Sequence, residues 1–323
     1  MVEMTHYIEF KTDGKKFQLN LLNSVEIISS VENLVDTATI ILPESVMNNV
    51  LKLEDKIRRG SEVVIELGYN SKNKTEFVGF ITDITNKSGT LTIACEDALF
   101  LFRRKIKDKI FKPAAVKTIL QYLLDEIGEG YTLVMDVDYG IVYEKFTIYQ
   151  AEAYDVLKKI QEELKADIYF DTDKKQLFFY APYKNEAGVV EYDMSVNIES
   201  SSLEYQKAAN KKVEILVEST STDGTVKQVT VGTIGGTQQK IKVGAMSESD
   251  MKKIAEAMLL QQNSDKYEGS IDAWLRPYIK PSYRAKFKDK DYPERDGSYY
   301  VVAVTTTFSD GGGKRNIKFG IRL

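Results

Sequence analysis

The sequence of 323 residues holds one cysteine and one histidine. A single thiol excludes an intrachain disulfide and a cysteine-built zinc site. The one imidazole, His6, lies near the start of the chain and leaves little for a histidine-centred metal site or a catalytic triad. With 20 Gly and 6 Pro, the chain is neither collagen-like nor low-complexity. No run of about 18 apolar residues occurs, so no membrane-spanning helix and no membrane insertion are expected. Residues 1–6 lack the basic-then-apolar pattern of a secretory signal, so synthesis in the cytoplasm is expected. An excess of either charge is missing as well: 44 Lys and Arg against 48 Asp and Glu leave a net charge of −4. That balance argues against a nucleic-acid binder held by bulk positive charge. Together these absences favour a scaffold over an enzyme.

What is present is first of all β-structure. Phe17 to Leu21 and Thr37 to Leu42 alternate apolar and polar residues. The runs 63–67, 77–81 and 91–95 are short and rich in β-branched and aromatic types. Asp13-Gly14 and Ser88-Gly89 are hairpin-type turn signals. Residues 1–100 therefore read as a small β-barrel or sandwich.

The pattern changes near residue 100. A basic run, 103–109, precedes Pro113, which fits a first helical position. Val116, Ile119, Leu120, Leu123, Leu124 and Ile127 recur at spacings of three and four, marking one apolar helix face closed by Gly128 and Gly130. A second helix starts near Ala151, with Ala153, Val156, Leu157, Ile160 and Leu164 on one face, and a hairpin spans 167–180. Residues 101–205 form an α+β module. From 206 to 323 strands return: 213–217, 226–231, 267–275, 283–287, 298–304 and 315–323. Gly232 to Ile241 reads as a flexible turn or loop. Ser247 and Asp250 fit the capping pattern of a helix carrying Met251, Ile254, Met258 and Leu259. In the strand after Gly297, Tyr299, Val301 and Ala303 point one way and Tyr300, Val302 and Val304 the other. Apolar residues on both faces imply a strand covered on both sides.

Candidate chemistry is thin. Asp136 with Asp138, and Asp171 with Asp173, suggest a cation, but neither pair continues into an EF-hand loop, and carboxylates in turns are ordinarily solvated turn formers. Glu162 and Glu163 suggest an acid/base pair for sugar hydrolysis, yet adjacent helical residues point about 100° apart. The glycines at 232–236 and 311–313 complete no phosphate-binding motif and read as hairpin turns. The basic run reads as a solvated face, or as a subunit contact or inward-facing charged ring. The 19 tyrosines and single Trp274 could line a carbohydrate site, though tyrosine in strands more often packs sheets and interfaces. No catalytic, cofactor-binding or metal residue is assigned, and no cofactor is expected.

Three stretches, taken in order, resemble the tail-hub (baseplate hub) family of contractile-tailed phages, which takes in late-control protein D, the phage Mu hub and the N-terminal part of the type VI secretion spike. Residues 60–67 with 77–84 are similar to its F-x-G strand pair. Residues 153–171 resemble its helix-then-strand segment. Residues 297–309 with Gly311 to Gly313 are similar to its G-x-Y-x-V ending, with Thr306 where His is common.

The resemblance implies a mainly β fold, with two similar small β-barrels, 1–100 and 206–323, flanking the α+β module, and no enzymatic activity. It implies a homotrimer whose six barrels form a ring, matching the six-fold tail tube on one face and a three-fold central spike on the other. The implied partners are the tube protein, a separate spike protein and other baseplate proteins, with DNA passing through unbound. The implied location is the tail baseplate of a virion or prophage-encoded particle, assembled in the host cytoplasm. Two readings from other classes stand beside it: a tail-associated cell-wall glycosidase, and a carbohydrate-binding adhesion module.

Overall fold

The computed structural model describes residues 3–19, 21–43, 56–87, 90–208 and 211–323. Alternation of buried and exposed positions builds its strands. In Thr37–Pro43 the side chains of Ala38, Ile40 and Leu42 turn inward, and in Thr90–Glu96 those of Leu91, Ile93 and Cys95 do the same. They meet Ile8, Phe10, Val63, Ile65 and Leu67 in one apolar cluster. The expected turn at Asp13-Gly14 is present, with both residues at positive φ. The Ser88-Gly89 turn lies outside the described residues.

A 15-stranded sheet runs through both ends of the chain. From one side its order is Ser200–Ser201, Ser270–Trp274, Gly312–Arg322, Gly297–Ser309, Ser24–Ser30, Thr37–Pro43, Thr90–Glu96, Lys72–Lys87, Glu62–Tyr69, Met4–Thr12 and Lys15–Leu19. The C-terminal hairpin is thus the graft between the two β-regions: Ala303 to Ser309 pair antiparallel with Ser30 to Ser24. Tyr283–Lys288 branches from Gly297–Ser309 and pairs in parallel with Gly188–Asp193. Hydrogen bonds that would close either region into a ring are absent among the described residues.

The α+β core rests on helices Val116–Ile127 and Ala153–Leu164, which bury the periodic residues read from the sequence. Gly128, at φ 71°, ends the first in the left-handed conformation that glycine adopts without strain. The expected helical start at Pro113 is displaced, because Ala114–Ala115 pairs with Val142–Tyr143 and the helix begins at Val116. The apolar clusters do not follow the chain linearly. Val213, Ile215, Val217, Val243, Met251 and Ile254 pack into the α+β core, whereas Val190 and Tyr192 pack with the C-terminal strands. Residues 232–241 are not a loop throughout. Thr237–Val243 is a strand parallel to Val213–Thr220, and only the turn at 233–236 interrupts it. Helix Glu248–Gln262 covers that small sheet, capped by Ser247 Oγ, which accepts from the Asp250 N–H at 3.1 Å.

The strand Gly297–Ser309 is buried on both faces from Tyr299 to Val302 and alternates beyond it, with Ala303 and Thr305 half-buried and Thr307 exposed. Tyr299 and Val301 lie in the C-terminal core, and Tyr300 and Val302 pack on the other side with Val31, Tyr183 and Ile321. Val304 joins Tyr299 and Val301 rather than Val302. A register shift between Val301 and Ala303 inserts an extra residue, and such a bulge flips the phase of the rest of the strand. Val302 is 2% exposed. Val302→Asp buries a charge with no partner and should cost about 3–5 kcal/mol. A chemical denaturation midpoint equal to that of the parent chain would show the layer to be open.

Candidate functional site

A cleft of about 670 Å³ opens where the first β-region, the α+β module and residues 278–283 converge. Tyr169 forms part of its wall and stacks on Phe178, with ring centroids 5.0 Å apart. Two strand ends bring Asp36 and Asp97 to it. Asp36 precedes Thr37–Pro43, and its Oδ1 accepts from the Ser30 N–H at 3.1 Å. Asp97 follows Thr90–Glu96; its Oδ1 accepts from Leu99 N–H at 2.9 Å and its Oδ2 from Asp36 N–H at 3.2 Å. Enclosure raises both carboxyls above the ordinary aspartate range, and for Asp97 the neighbouring Asp36 adds to the effect. The next residue, Ala98, donates its N–H to Thr172 Oγ1 at 3.0 Å, which ties the first β-region to the α+β module.

Asp167 is the third enclosed carboxyl at this junction. Its Oδ2 accepts from Tyr183 N–H at 3.2 Å, and Tyr300 O–H points to the same oxygen at 3.4 Å. Burial pushes it up to about 7.

Beside the cleft, the two ends of the chain are locked by a buried ion pair. Arg315 Nη1 donates to Glu76 Oε2 at 2.9 Å and Nη2 to Oε1 at 2.6 Å, a bidentate fork with side chains 1% and 3% exposed. The same guanidinium donates to Thr306 Oγ1, Leu275 O and Ile279 O, and its carbon lies 5.1 Å from the Tyr278 ring. Every polar atom of the arginine is thereby engaged. Thr306, at the position where the resemblance expects His, supplies one of those acceptors.

At the junction, hydroxyls and carboxyls tie the modules to one another. Its carboxyls are spent on their own backbone amides. Groups of three or more potential metal ligands are absent among the described residues. The candidates read from the sequence also turn to structural tasks. Asp136 Oδ1 accepts from Asp138 N–H at 3.0 Å, and Asp171 pairs with Lys174 at 2.9 Å. Glu163 accepts from Gly244 N–H at 3.2 Å, while exposed Glu162 faces Lys158, so the two do not converge. Gly235 N–H donates to Glu214 at 2.7 Å within a turn between strands, and the last hairpin turns at Asp310-Gly311, with Gly312 and Gly313 already paired to Ser309 and Phe308 rather than forming the tip. In the basic run, Arg103 pairs with Glu96 at 2.7 Å and lies 4.5 Å from the Tyr154 ring, Arg104 donates to Ile127 O, and Lys107 reaches Glu126 at 3.4 Å. Trp274 is 47% exposed, with Lys314 5.9 Å from its ring. His6 packs edge-on against Phe308, and the buried Cys95 thiol is pushed up to about 12, which makes it inert at neutral pH.

The sequence reading missed Glu76 and Arg315. Arg315 had a visible signal, since it shares the inward phase of the last strand with Ile317 and Phe319. Glu76 had none: Ile65 faces Phe77 while Glu66 faces Thr75, so Glu76 is the extra residue of a bulge that turns it into the core.

No family model matches the sequence, and no curated protein does either. Among solved structures, a tail protein from Neisseria meningitidis MC58 superposes with a TM-score of 0.69 at 13% identity, over 98% of this chain and 96% of that one. The 43 kDa tail protein of prophage MuSo2 from Shewanella oneidensis gives 0.65 at 12% identity, over 98% and 99% of the two chains. An E. coli component of the type VI secretion system, with structural similarity to T4 tail proteins gp27 and gp5, gives 0.63 at 11% identity, over 98% of this chain and 76% of that one. At these identities the likeness is one of fold. The fold is tail-hub-like, mainly β with an α+β module in the middle.

Removing one partner of the buried pair leaves the other as an unpaired charge. Glu76→Leu or Arg315→Met alone should each cost about 3–5 kcal/mol in urea denaturation, while the double variant Glu76→Leu/Arg315→Met should recover most of that loss. Strict additivity of the two single effects would contradict a closed pair.

Proposed function

We propose that the chain is a structural subunit of a phage tail or phage-derived injection particle, acting as the baseplate hub between a six-fold tail tube and a three-fold central spike. The observation that carries the reading is an end-to-end likeness to tail proteins, over 98% of this chain and 96–99% of theirs. Two features add support. Both ends of the chain contribute β-regions to one sheet, as a subunit needs if it is to present two comparable faces to a tube of doubled symmetry. A net charge of −4 suits a passage through which DNA slides without being gripped.

In this reading residues 1–100 form the first barrel-like module and 101–205 the α+β middle. Residues 206–323 supply the second, with 188–193 lent to it and 213–262 returned to the middle core. Three chains make a closed ring with its β-modules around the opening, a central spike protein docks on its three-fold face, and the particle is assembled in the host cytoplasm. In this reading the subunit performs no reaction.

Light scattering on the purified protein, alone and with its spike partner, tests this. The expected mass is three times the 36.6 kDa of one chain, with no growth beyond it, because cyclic symmetry closes. A monomer at high micromolar concentration in both samples, or lysis of purified peptidoglycan abolished by Asp97→Asn, would overturn it.

A further inference from the structure

The three enclosed carboxyls share a location. Asp36, Asp97 and Asp167 all lie on the seam where the α+β module meets the continuous sheet, through Ala98 to Thr172 on one side and Asp167 to Tyr300 on the other. Asp97 and Asp167 are buried, and Asp36 keeps partial exposure through the cleft. None of the three forms an ion pair among the described residues. Asp36 feels Lys280 only at a distance, and the charged neighbours of Asp97 and Asp167 are themselves acids: Asp36 and Glu96 for one, Glu32 for the other. A desolvated carboxylate with no counter-ion costs more to enclose than its protonated form, and the N–H and O–H donors that face these three carboxyls offset only part of that cost. The other perturbed carboxylates behave in the opposite way. Glu9, Glu218 and Asp272 sit near the surface, are held by lysines or polar side chains, and are lowered.

We propose that this seam is a proton-operated latch: with the three carboxyls protonated the α+β module is clamped to the sheet, and their ionisation loosens the seam and widens the cleft while each module keeps its own fold.

The groups facing the latch are set by the elements packed on it. The first β-region presents Ser29, Ser30, Glu32 and Glu96; residues 278–300 present Lys280 and Tyr300; the α+β module presents Thr172, Tyr131, Tyr139, Tyr169 and Tyr183. Burial raises all five of these tyrosines, so they stay neutral across the range concerned. Lys74, Asp173 and the Asp171–Lys174 pair line the cleft further out. In the closed seam the carboxyls are raised; in the opened, solvated seam they return to the ordinary 3.8. The clamping is therefore complete below that value and is lost as pH rises through the closed-state value, about 7 for Asp167.

Hydrogen exchange of the wild-type chain, read at the Ala98 and Tyr183 amides, tests the latch, with Ile40 and Ile93 inside the first β-region as controls. After correction for intrinsic exchange, protection of the two seam amides should fall at least about tenfold between roughly pH 5 and pH 8, as expected for the loss of one bound proton over a single pH unit, while the controls hold. Asp36→Asn and Asp167→Asn are the informative variants: Asp167 accepts from Tyr183 and Tyr300 through one oxygen, and Asp36 accepts from the Ser30 N–H through Oδ1, contacts that an amide oxygen reproduces. The double variant should flatten at least half of the pH dependence. A flat wild-type profile overturns the proposal whether or not the variants fold, and so does an equal fall in wild type and double variant.

Discussion

A guanidinium enclosed at the centre of the molecule has to be answered by a carboxylate, and that requirement organises the chain. Arg315 and Glu76 are 239 residues apart in sequence and 2.6 Å apart at their closest atoms. Arg315 sits on the last strand, in a phase otherwise given to Ile317 and Phe319, so it cannot reach water without unpairing the hairpin. Its remaining donors hold Thr306 and the carbonyls of Leu275 and Ile279, which orders the connection between the C-terminal strands and the first β-region. A buried ion pair adds little net stability beyond an apolar pair of equal volume. What it supplies here is registry: in this pairing of the two ends every nitrogen of the guanidinium is engaged.

That registry makes one sheet of two β-regions. The graft through Ala303 to Ser309 and Ser24 to Ser30 leaves the regions continuous, while the α+β module leans against them along a separate seam. The two attachments differ in chemistry. The graft rests on ladder hydrogen bonds and a buried bidentate charge pair, whereas the seam encloses carboxyls that have no counter-ion among the described residues, which is the basis of the proposed latch. A rigid platform with one adjustable joint suits the proposed hub, which has to keep its ring closed while the parts bound to its two faces change.

The regular elements were legible in the sequence because each signal was local. Alternation in Thr37–Pro43, helical spacing from Val116 to Ile127 and the Ser247 cap depend on residues a few places apart. Three features were not legible, and each depends on a partner distant in sequence. Thr237–Val243 looked like a glycine-bounded loop because its polar residues become a strand only beside Val213–Thr220. Val304 changed sides because a bulge intervenes, and bulges leave no composition signal. The junction itself was invisible: Asp36, Asp97 and Asp167 belong to three unremarkable strand ends until the fold encloses them. The order of three motif stretches was legible as a family resemblance, and the tail-hub-like fold agrees with it.

Electron microscopy of the purified assembly, averaged along its axis, is the most direct test of the hub reading. The account predicts a closed ring of three chains with six β-modules around an open centre. Single chains, a two-fold dimer or an open filament under the same conditions would contradict it.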